Sequence, residues 1–146
     1  MRHPDGAVVA VLEIVSRGNK DSGHALRAFV RKAVEFLHAG IYVLIVDLFP
    51  PGRRDPQGIH KAIWDWLHEE PFTLPADKPL TLAAYAVGTE MVAYVEPVAV
   101  GAALPDMPIF LTADRYVPCP LETTYETAWE QFPEPLKGPL ESPPPS

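Results

Sequence analysis

The 146 residues contain a single cysteine, Cys119. One thiol excludes an internal disulfide and a Cys-rich zinc site, so neither staple is available to a small core. No stretch approaches the roughly 20 consecutive apolar residues that a bilayer-spanning helix needs, which argues against a membrane partner. The opening Met1-Arg2-His3-Pro4-Asp5-Gly6 lacks the basic-then-apolar build of a secretory signal, and the chain reads as cytoplasmic. A glycine-rich phosphate loop, a zinc knuckle and a nucleophile elbow are also missing. Positive charge is scarce in the second half. Residues 62–146 hold three of the 12 Lys+Arg and 13 of the 19 Asp+Glu, against nine and six in residues 1–61, so the halves carry net charges of -10 and +3. The acidic half opposes non-specific nucleic-acid binding, leaving at most a patch on the first half for a polyanion.

What the chain does have is 47% hydrophobic and 21% charged residues, the balance of one globular domain able to bury a core. Ala7–Val15 is an apolar, β-branched run, as expected of a strand buried on both faces. Asp21 and Ser22 offer N-caps for a helix that Gly40 would close as a left-handed C-cap, with Leu26, Phe29, Val30, Ala33 and Leu37 on one face. Ile41–Leu48 reads as a second buried strand, so strand, crossover helix and strand predict a parallel β-α-β unit. Pro50, Pro51 and Gly52 then break the chain.

A shorter helix is expected at about Gln57–His68, with Ile59, Ala62, Ile63, Trp66 and Leu67 on its apolar face and Trp64 off it. Fourteen of the 18 prolines lie from Pro71 onward, where they exclude long helices and central strands. That half should be extended, best at Leu80–Val87 and Val92–Val100, with a hairpin around Gly88, Thr89 and Glu90. It needs a surface to lie on, and an arm wrapping the β-α-β unit, with Tyr94–Pro108 or its neighbours covering Trp64, is the expected solution. Residues 1–122 would then form one α/β domain, followed by a helix over Thr123–Phe132 within a segment 123–136, and a proline-rich, disordered tail over 137–146.

Three side chains stand out as carriers of chemistry. Glu13 lies near the carboxyl end of the first strand and Asp47 ends the second, where open α/β sheets place their sites. Two such carboxylates suit a hard divalent cation such as Mg²⁺, although a carboxylate at a strand end more often reaches solvent or pairs with a base. Lys32 falls outside the polar arc of its helix and is expected either to snorkel to water or to point toward Glu13. His60 and His68 lack a metal-ligand spacing and read as packing or surface residues, and Cys119 as a small buried or partly exposed thiol. Arg53-Arg54 reads as a solvated loop pair screened by Asp55.

The segments Val11-Leu-Glu-Ile-Val-Ser-Arg-Gly-Asn-Lys20, Phe29-Val-Arg-Lys32, Gly40 and Tyr42-Val-Leu-Ile-Val-Asp47 resemble bacterial proteins of the domain of unknown function 4058 family. They also resemble the Uma-type restriction-endonuclease-like family. Leu104–Leu111 and Val117–Tyr125 resemble the first family's C-terminal portion. The resemblance implies a PD-(D/E)XK restriction-endonuclease-like core with a β-α-β unit, a second helix and a proline-rich extended arm. It casts Glu13 as the acidic residue of the central strand and Lys32 as a catalytic lysine moved to the following helix, with Mg²⁺ held by Glu13 and Asp47. This chain has no counterpart of the family's upstream Asp-bearing strand, carries Val15 where a strict motif has lysine, and has Arg17 after Ser16 in place of proline. It therefore reads as a C-terminal part of a longer protein, truncated and non-catalytic by itself. The alternative is a Mg²⁺-dependent nuclease or phosphodiesterase. A missing strand would leave the first strand with an open edge and favour self-association.

Overall fold

The computed structural model describes residues 9–68, 70–87, 90–112 and 115–123. The helix 123–136 and tail 137–146 expected from the sequence fall almost wholly outside them. Secondary structure begins with β1 (Ala10–Ile14), a four-residue turn of helix α1 (Arg17–Lys20), and α2 (Gly23–His38). The Ser22 side chain caps α2 by accepting from the Ala25 amide. Gly40, at φ +79°, turns the chain left-handed just past the helix end, a conformation that a side chain would strain. β2 (Tyr42–Asp47) then pairs parallel to β1, Ala10 opposite Tyr42 and Ile14 opposite Val46, as the crossover helix requires.

After α3 (Gly58–Leu67), β3 (Leu80–Val87) joins β2 antiparallel, and β4 (Met91–Val98) joins β3 antiparallel down to the pair Val87–Met91. The four strands lie in the order β1-β2-β3-β4. A separate hairpin, β5 (Met107–Thr112) and β6 (Arg115–Cys119), completes the described elements. Among the described residues no helix is long and apolar enough to cross a membrane.

Side-chain alternation sorts the central sheet into two apolar layers. On one face Val43, Ile45, Ala83 and Tyr85 meet the apolar stripes of α2 and α3, including Phe29, Leu37, Ile59 and Ile63. On the other, Leu44, Val46, Leu82 and Ala84 meet Met107, Phe110 and Cys119 of the hairpin, with Leu104 and Leu121. The fold is mixed α/β, with helices, sheet and hairpin in successive layers.

Three expectations need correction. β1 is not buried on both faces: Ala10 is buried, but Val11–Glu13 are half-buried and Ile14 is 41% exposed, β1 being the end strand of the sheet among the described residues. The proline-rich half is not an arm wrapped on a finished unit, since β3 and β4 extend the same sheet. The apolar face expected for α3 is also misplaced, since Trp66 is not part of it. Trp64 is buried against Tyr85 and His60, with rings at 6.1 and 5.5 Å, in a core cluster against which Met91, Ala93 and Val95 of β4 also pack, while Trp66 is 54% exposed.

Candidate functional site

The buried charges gather beyond the carboxyl end of β2. There the chain leaves β1 and immediately turns through α1. Ser16 caps that turn reciprocally, its hydroxyl accepting from the Asn19 amide while its own amide donates to Asn19 Oδ1 at 2.7 Å. The turn swings Lys20 back over the sheet. Its ammonium donates to Asp47 Oδ2 at 2.8 Å and to the Phe49 carbonyl at 2.9 Å. It also lies 2.7 Å from Asp55 Oδ2, an ion contact without the alignment of a hydrogen bond. The side chains of Asp47 and Asp55 are 1% and 2% exposed and that of Lys20 is 12% exposed.

The loop after β2 is built around the same two carboxylates. Asp47 Oδ1 accepts from the Phe49 amide at 3.1 Å, and Asp55 Oδ1 accepts from the Gly52 amide at 2.9 Å. Burial pushes the Asp47 carboxyl above its ordinary value, opposed by the Lys20 ammonium and by the Phe49 amide. Thr81 sits opposite Asp47 in the β2–β3 register, and its buried hydroxyl has no hydrogen-bond partner. Gly58 opens α3 directly over it at φ +86°; a Cβ there would come within 3.2 Å of Thr81 Oγ1. Close approach and backbone sign both require glycine at this position.

The three sequence-predicted residues fall into two separate ion pairs, Glu13 with Lys32 and Asp47 with Lys20. Glu13 and Lys32 do meet: Lys32 Nζ lies 3.0 Å from Glu13 Oε1, with the lysine side chain 54% and the glutamate 19% exposed. The lysine stem also passes 6.0 Å from the Phe36 ring, so it both covers apolar surface and reaches the carboxylate. Glu13 lies opposite Ile45, placing it on the same sheet face as Asp47 and two residues back along the strands. Each carboxylate is held by a different lysine. Each Asp47 oxygen already accepts from a protein donor, and the Lys20 ammonium supplies there the positive charge that a bound cation would bring. Among the described residues no group of three or more His, Cys, Asp or Glu side chains is placed to hold a metal ion.

Lys20 and Asp55 were not singled out by sequence reasoning. Lys20 lies four residues after the Ser16 cap, and Asp55 is buried on that lysine rather than screening Arg53 and Arg54, which are exposed. His60 is a packing residue, as its spacing suggested. Its Nδ1 lies 2.7 Å from the Tyr85 hydroxyl, and Phe72 meets the ring edge-on at 5.0 Å. Burial, helped by Lys61, pushes the imidazole down to about 4, so it is neutral near pH 7 and shares one hydrogen bond with the tyrosine. No family model matches the chain, and neither a curated protein nor a solved structure matches it.

Proposed function

We propose that the chain is a PD-(D/E)XK nuclease-like domain that serves as a binding module and not as a catalyst. The observation that carries this reading is the Lys20 ammonium seated between Asp47 and Asp55. A strand-end carboxylate recruits Mg²⁺ with free oxygens and negative charge. Here an internal cation supplies the neutralising charge, and both oxygens of Asp47 have protein partners. The residues as arranged do not fit a shared Mg²⁺ between Glu13 and Asp47.

A second reading, a Mg²⁺-dependent nuclease or phosphodiesterase using Glu13 and Lys32, is favoured by one observation. The helix lysine reaches the strand carboxylate at 3.0 Å, the juxtaposition that the resemblance requires. Incubating the purified chain with Mg²⁺ or Mn²⁺ and with single- and double-stranded DNA and RNA separates the two. Intact substrates, with no difference between the native chain and Glu13→Ala, are expected. Cleavage that disappears in both Glu13→Ala and Lys32→Ala would establish the enzyme instead.

A further inference from the structure

On the hairpin face, away from the buried charges, a shallow groove of about 440 Å³ is lined by Tyr94, Pro108, Phe110, Tyr116 and Pro118, with Asp106 its charged lining residue. Its geometry follows from register. Pro108 faces Pro118 and Phe110 faces Tyr116 across β5 and β6, so the four side chains occupy one face of the ribbon. Tyr94, from β4, lies against Phe110 with ring centroids 5.3 Å apart, and Tyr116 meets Phe110 edge-on at 5.7 Å. Phe110 is buried between them, whereas Tyr94 and Tyr116 are 52% and 60% exposed. The two exposed rings are therefore at most about 11 Å apart.

An array of exposed tyrosines with a buried aromatic floor suits a polyproline II segment, whose rings stack on aromatic faces and whose ordering cost is low. One turn of that helix advances roughly 9 Å, within the upper bound on the separation of the two tyrosines. The groove has no basic lining residue, which counts against a nucleic acid.

We infer that this groove docks the chain's own proline-rich segment, Pro139–Pro145, in cis. The occupant is written in the sequence: Pro139-Leu-Glu-Ser-Pro-Pro-Pro145 ends in three consecutive prolines. Lys137, just ahead of it, is the one basic residue after Arg115 and complements Asp106 at the rim. Reach is not limiting. The described chain stops at Thr123, four residues after the end of β6, a strand that itself lines the groove. The intervening residues 124–136, at roughly 3.3 Å each, span about 40 Å when extended. Docking would remove the two exposed tyrosines from water.

Tyrosine nitration of the full-length chain tests the assignment, with buried Tyr85 as the internal reference. Tethering gives an effective concentration on the order of 1 mM, so even a Kd of about 100 µM slows nitration of Tyr94 and Tyr116 by about tenfold. The variant with Pro143→Ser, Pro144→Ser and Pro145→Ser, which leaves every described residue unchanged, should lose that protection. A synthetic peptide of residues 137–146 added at millimolar concentration should restore it. Equal nitration of native chain and variant would overturn the proposal. Protection that grows with protein concentration would also overturn it, by making the occupant a second copy.

Discussion

Lys20 shows how much one side chain can hold when it is taken out of water. Its ammonium neutralises two aspartates that are themselves almost wholly buried, so Lys20→Met would strand both charges. Breaking a buried ion pair from one side costs about 3–5 kcal/mol, whereas removing all partners together costs far less. Urea unfolding should show Lys20→Met losing stability in that range, with much of it recovered in the triple variant Lys20→Met, Asp47→Asn, Asp55→Asn. Equal losses in the two would mean that the ions contribute nothing beyond packing.

His60 gives the matching pH dependence. Its folded-state value of about 4 lies below the ordinary 6.5, so the unfolded chain takes up the proton first. The contribution is fully present above pH 6.5 and is lost as pH falls from 6.5 toward 4, by up to about 3 kcal/mol. Stability measured across that window should fall less steeply in His60→Gln than in the native chain. Parallel curves would place the titration elsewhere.

At the scale of elements, α2 was readable because its signals are local. Ser22, Gly40 and an apolar stripe at helical spacing lie within one stretch of chain. α3 was misphased because the side chains that define its buried face are paired from a distance. His60 is polar by type yet buried through Tyr85, and it draws Trp64, one turn along, inward with it. The sequence contains two tryptophans two residues apart, and nothing nearby says which one faces the sheet. Trp64→Ala should cost about 3–5 kcal/mol, as emptied aromatic sites do. Trp66→Ala should stay within about 0.5 kcal/mol of the native chain, as exposed positions do, and thermal unfolding of the two variants would distinguish them. β5 and β6 were masked by proline for a related reason. Pro108 and Pro118 face one another in a two-stranded ribbon, where each strand keeps an outer edge that needs no amide donor.

At the scale of the molecule, the Glu13–Lys32 pair was legible because a strand end and the following helix fix it. The Lys20–Asp47–Asp55 cluster was not, because a four-residue turn and an irregular loop assemble it. β1 is the end strand among the described residues, and its Ile14 is 41% exposed, so self-association through this edge is the expected behaviour. Size-exclusion chromatography over a hundredfold range of concentration should show a shift toward dimer; a constant monomer would exclude it. The sheet also sets an order of assembly. β3 and β4 meet across a short connection, Val87 against Met91, and hairpins of this kind close in roughly 1–10 µs. β2 must wait, since it joins β1 only across a whole helix and β3 only across another. Loop-closure entropy therefore falls on the central strand, and until β2 arrives the apolar edge of β3 is open to pairing with other chains. Aggregation during refolding would then be governed by how quickly Val43–Asp47 finds its place, and dilution would raise the yield more than added stability would.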